Sequence, residues 1–118
     1  MYGFPADLDL GTPIREDLNQ MCLGRYDLQL VFGEAGVIAV TGAVEVLDQT
    51  GAVATWNEGS NWSSLTFQRL LNDRLAGLAV RSDRVLDLAL ASGLTVRLHD
   101  SERFESVTIS TPGRCLVV

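Results

Sequence analysis

This chain of 118 residues contains no lysine; its nine basic side chains are all arginine. No P-loop lysine is available to hold a nucleotide phosphate. No side chain can form a Schiff base with a carbonyl substrate, and arginine does not serve as a general base at ordinary pH. GC-rich coding, which favours arginine codons, is the simplest cause. Histidine occurs once, at His99, and cysteine twice, at Cys22 and Cys115. One histidine and two cysteines cannot fill a four-ligand structural zinc site. The acidic residues Asp100, Glu102 and Glu105 lack the ligand spacing of an EF-hand. No metal and no cofactor are therefore expected. A disulfide cannot be deduced from two distant cysteines, and two buried, inert thiols are the simpler reading.

Long apolar runs are also missing. No stretch approaches the roughly 18 residues of a membrane span, so none is expected. Residues 1–7 carry neither a basic group nor a long apolar segment, which argues against a secretory signal and for a cytoplasmic location. Positive charge is in the minority, with 9 basic against 15 acidic residues and a net charge of −6. That excludes ordinary nucleic-acid binding, which depends on neutralising phosphates. It suits solubility, or a basic protein partner. What the chain does have is apolar content: 47% of its residues are hydrophobic. A single domain of this length can bury roughly two-thirds of its unfolded surface.

The apolar residues are arranged as if one statement were made twice. Asp27-Leu28-Gln29-Leu30 leads through a glycine turn into an apolar run, and Asp87-Leu88-Ala89-Leu90 does the same. Ahead of the first copy, Thr12-Pro13 reads as a helix start. Ile14, Leu18, Met21 and Cys22 then form a helical stripe that Gly24 ends. Strands follow at 26–32, at 37–40, around Val44 and Val46 after a bend at Gly42, and at 52–56. Ahead of the second copy, Asn61 reads as the cap of a helix carrying Phe67, Leu70, Leu71, Leu75 and Leu78. After Val80, Leu86, Leu88 and Leu90 face inward, then Leu94, Val96 and Leu98, with Thr95, Arg97 and His99 outward. Strands at 104–110 and 115–118 close the chain. The expected fold is α+β. A mostly antiparallel sheet is built from two similar helix-plus-β-meander halves, with the helices packed on one side. Within one domain, 1–118, an extended arm covers 1–11, the first half 12–56 and the second half 61–118.

The C-terminal half resembles a known pattern. Leu75-Ala76-Gly77-Leu78-Ala79-Val80, Leu86-Asp87-Leu88-Ala89-Leu90, Gly93-Leu94-Thr95-Val96 and Arg103-Phe104-Glu105-Ser106 are similar, in order, to segments of a family of small, mostly actinobacterial β-rich domains of unknown function. The resemblance extends over about 18–118. The family's aromatic-Glu-Ala-Trp element reads Phe104-Glu105-Ser106-Val107 here, so its tryptophan is missing. The resemblance implies no established activity. By analogy it implies an immunity or accessory protein.

Few residues point to chemistry. His99-Asp100-Ser101 has the composition of a triad, but neighbours on a strand point apart. Asp83, Asp87, Glu102 and Glu105 offer carboxylates without a spacing rule to test. Gly33-Glu34-Ala35-Gly36 joins two strands, so no helix follows to receive a phosphate. The most suggestive element is 56–62, where Trp56 and Trp62 bracket a polar loop. Tryptophan is enriched at binding hot spots, and Trp56, Asn57, Glu58 and Trp62 are the expected binding residues, with Trp56 the more exposed tryptophan. The expected function is that of a small acidic cytoplasmic protein-binding module, of immunity or accessory type, and not an enzyme. One alternative is a self-associating structural domain in which the last strand pairs across a two-fold axis as a homodimer. A second alternative is a carboxylate-based enzyme or small-molecule binder.

Overall fold

The computed structural model describes residues 3–9, 16–57, 65–100 and 106–118. The strands are β1 (Gln20–Leu23), β2 (Leu28–Val31), β3 (Val37–Val40), β4 (Ala43–Asp48), β5 (Gly51–Asn57), β6 (Leu75–Ser82), β7 (Val85–Leu90), β8 (Thr95–His99), β9 (Val107–Thr111) and β10 (Arg114–Val117). One helical turn, α1 (Leu65–Gln68), lies between β5 and β6. The strands form two five-stranded sheets, ordered β1-β2-β3-β9-β10 and β5-β4-β8-β7-β6. Every pairing is antiparallel. Alternation supplies the inner faces: Leu28, Leu30, Ile38 and Val40 from sheet one meet Val44, Val46, Leu86, Leu88, Val96 and Leu98 from sheet two in one core. Phe4 and Leu8 of the N-terminal arm join that core, and the Phe4 amide donates to the Asp83 carbonyl.

The two halves of the chain are topologically alike. β1–β3 form a meander in sheet one, and β4–β5 cross to sheet two. β6–β8 form a meander in sheet two, and β9–β10 cross to sheet one. Each half therefore lends a hairpin to the other's sheet. The pairings set the equivalence. Leu30 lies opposite Ile38, as Leu88 lies opposite Val96. Leu28-Gln29-Leu30 thus corresponds to Leu86-Asp87-Leu88, two residues away from the match the sequence suggests. A slip of two keeps every side chain on its face, so alternation alone cannot reveal it.

The two crossovers meet at one corner. Chain direction changes at Thr41-Gly42 between β3 and β4, and the residues after β8 lead to Ser106 and β9. The Thr41 amide donates to the Ser106 carbonyl at 2.8 Å. A Cβ on Gly42 would lie 2.3 Å from the His99 carbonyl oxygen, so only glycine allows this approach. Asp100, whose side chain is fully buried, ties the corner together: it accepts from Arg84 Nη1 at 2.8 Å and from Ser106 Oγ at 2.6 Å.

The architecture corrects the α+β expectation. The described residues form two antiparallel β-sheets, and among them no helices are layered on one side. Each half holds five strands where a helix plus a meander was expected. The first expected helix instead contains β1. Met21 and Leu23 lie opposite Leu30 and Leu28, so the pattern there has period two, and pairing with β2 overrides a weak helical stripe. Thr12, Pro13 and Ile14 lie outside the described residues, as does Asn61. Among the described residues the second expected helix is only α1, and Asn72, at φ 66°, turns the chain out of any helical path. The misleading signal was a β-bulge. It inserts a residue between Leu75 and Gly77, so Leu75 and Leu78 both face the core at a spacing of three, while Leu78 and Val80 return to a spacing of two.

A candidate protein-docking face

Of the four expected binding residues, Trp56 lies in the core and not at the surface. Trp56 stands opposite Val44 on the inner face of β5 and is 1% exposed, because inward alternation places it among core residues. Among the described residues its indole Nε1 has no hydrogen-bond partner. Asn57 is exposed at the end of β5. Glu58 and Trp62 lie outside the described residues. The Asp-Leu-x-Leu aspartates also differ from expectation. Asp27 is half-buried ahead of β2 and accepts from Gln29 Nε2. Asp87 projects from the outer face of sheet two yet is 3% exposed.

Arginines produce that burial. Asp87 is paired with Arg97 on β8, which donates from Nε at 2.8 Å to Oδ1 and from Nη2 at 3.0 Å to Oδ2. Arg81 on β6 donates from Nε to Oδ2 at 2.8 Å. Arg97 faces Glu45 across β4, and His99 Nε2 lies 2.6 Å from Glu45 Oε1. Charges thus alternate across four strands. Burial alone would push the Asp87 carboxyl up, but hydrogen bonds and charge from Arg97 and Arg81 outweigh it and hold the group below the usual carboxylate range. A depressed native value means that the ionised Asp87 contributes stability above the unfolded pKa, about 3.9, and loses it as pH falls through the folded value. Asp87→Asn is therefore expected to lower urea stability by a constant amount from about pH 7 to 5, with the gap closing below about pH 4. A gap that widened in acid would contradict this assignment.

His99 and Asp100 point apart, as neighbours on a strand do: His99 bonds outward to Glu45, and Asp100 inward to Arg84 and Ser106. Of the other carboxylates named for chemistry, Asp83 is exposed at the β6–β7 turn, and Glu102 and Glu105 lie outside the described residues. The cysteines correct the expectation of buried thiols. Cys22 is half-buried, Cys115 is exposed and both are free. They sit on opposite edge strands of sheet one, four strand spacings of about 4.8 Å apart, far beyond the roughly 7 Å limit for a disulfide. An open depression of about 430 Å³ lies beside Glu16, Asp17, Asn19 and Glu34. Among the described residues, no group of His, Cys, Asp or Glu is arranged to hold a metal ion. No described helix is long and apolar enough to cross a membrane.

Sheet one presents the contrast. Its outward residues form two complete cross-strand rows: Gln20–Val31–Val37–Ser110–Cys115 and Cys22–Gln29–Ala39–Thr108–Val117. None of these residues is charged, and none is fully buried. The second row occupies the positions that hold Ala79–Asp87–Arg97–Glu45–Thr55 in sheet two. The same place in the two related halves is thus ionic on one face and neutral on the other. No family model, curated protein or solved structure matches this chain, and nothing in those comparisons bears on the resemblance drawn from the sequence.

Proposed function

We propose that this protein is a protein-binding module that docks through the outer face of sheet one. The observation that carries this reading is the pair of uncharged rows. One residue in five of this chain is charged, yet the two rows crossing all five strands carry no charge, and the Asp27 carboxylate stands at their edge, bonded to Gln29. Depletion of charge marks the core of protein interfaces. Charged side chains on an outer sheet face, as on sheet two, instead keep that face in water and discourage unwanted pairing. A flat sheet face offers a macromolecule more than it offers a small ligand, which needs a concave site.

Capture from a lysate of the source cell tests the reading with three baits: the native chain, Val37→Arg and Arg97→Ala. The native chain and Arg97→Ala are expected to retain the same partner protein, and Val37→Arg is expected to lose it. Equal retention by all three baits would overturn the assignment of the face.

A further inference from the structure

We infer that the surface each half of the chain presents to the other is an interaction surface in its own right, and that the first half of one copy is a complete partner for the second half of another. The two halves are related by an internal two-fold axis. Asp17 pairs with Arg74 in an isolated antiparallel bridge. That bridge lies on the axis, because the two residues hold the same place ahead of β1 and within the approach to β6. The Leu18 amide donates to the Asp73 carbonyl at 2.8 Å, and the Leu75 amide donates to the Glu16 carbonyl at 3.0 Å. Each of these bonds is the image of the other, and Leu18 and Leu75 are both buried. At the far end of each half, Trp56 beside Val44 corresponds to Val118 beside Val107, and both are buried as well. This is the geometry of a two-fold dimer, carried here by one chain.

Neither half is complete alone. Without its counterpart, β3 loses β9 and β4 loses β8. Two rows of backbone donors and acceptors then lose their partners, and the apolar inner faces lie open. Charge decides which half each one takes. Residues 1–60 carry 9 acidic and 2 basic side chains, and residues 61–118 carry 6 and 7, so the halves stand at −7 and +1. Two first halves repel each other and would set Asp17 against Asp17 on the axis. A first half with a second half sets Asp17 against Arg74, 3.8 Å apart. It also sets Glu45 against Arg97 and His99 across β4 and β8. Like charges across an interface suppress the wrong pairing. Covalent linkage holds the two halves of one chain at an effective concentration on the order of mM. The single-chain sandwich therefore prevails in dilute solution, and exchange between copies sets in above that concentration.

Complementation between full-length variants tests this. Leu30→Asp spoils the first half, and Leu88→Asp, at the matching position, spoils the second; both leucines are buried and stand opposite Ile38 and Val96. Each variant alone is expected to stay unfolded. Refolded together from urea, they are expected to give a species of twice 12.8 kDa that holds one native sandwich, seen by sedimentation and by native amide NMR shifts. Ile38→Asp with Val96→Asp repeats the test at a second matched pair. The native chain, refolded above the mM range, is expected to show the doubled mass and to return to the monomer when unfolded and refolded dilute. Failure of both mixtures, or a native chain that refolds only to monomer at every concentration, would overturn the inference. A folded, doubled species from Leu88→Asp alone, which offers only first halves, would contradict the pairing by charge.

Discussion

Arg84→Ala is expected to destabilise the fold by about 3–5 kcal/mol, the range for removing one member of a buried ion pair. Arg84 is itself 30% exposed, but the Asp100 side chain it serves is fully buried. Without the guanidinium, that carboxylate keeps the Ser106 hydroxyl at 2.6 Å and no cation among its described contacts. Its charge is then uncompensated in a place water does not reach. The loss should be smaller in Arg84→Ala/Asp100→Asn, because the second change removes the charge. Urea unfolding of the two variants at pH 7 measures the difference. Near-native stability of Arg84→Ala would show that the corner does not depend on this pair. The effect matters for function because the corner sets the crossover that carries β9 and β10 into sheet one. Those strands hold Ser110, Cys115, Thr108 and Val117, four members of the uncharged rows.

Trp56→Ala is expected to cost about 3–5 kcal/mol as well, through a cavity in the core. The residue is 1% exposed and stands on the inner face of an edge strand, opposite Val44. Trp56→Phe should cost far less, under about 1.5 kcal/mol for a swap that keeps most of the volume. It also removes an indole N–H that finds no acceptor among the described residues, and such a buried donor is itself unfavourable by about 1–3 kcal/mol. Thermal or urea unfolding of both variants distinguishes this from a surface role. A Trp56→Ala variant with native stability and lost binding would restore the tryptophan to the surface.

The strands were legible in the sequence because each has one buried face. Alternation placed the inward residues of β2, β7 and β8 and the outward Thr95, Arg97 and His99, whereas the all-apolar β3 gave no inward side. It failed where a bulge changed the spacing, as between Leu75 and Leu78, and a strand was taken for a helix. The outward direction of Asp87 could be read, but its burial could not. Burial comes from Arg97 and Arg81 on neighbouring strands, and which residues lie side by side depends on register. The same limit hid the candidate face. That Gln29, Val31, Val37, Ala39, Thr108 and Ser110 are uncharged is plain in the sequence. That they form one surface follows only from the pairing of β3 with β9, which joins residues about seventy positions apart in the chain. Trp56 reads as a surface residue because it borders a polar loop, whereas its place on the inner side of β5 was decided by pairing with β4.

The most direct test of the docking face follows backbone amide NMR shifts of the native protein as the partner captured from lysate is added. The changes are expected to gather on β1, β2, β3, β9 and β10, centred on Val37 and Ala39, while Glu45, Asp87 and Arg97 stay fixed. Changes centred on the ionic row of sheet two would contradict the account, as would spectra that do not respond to the partner.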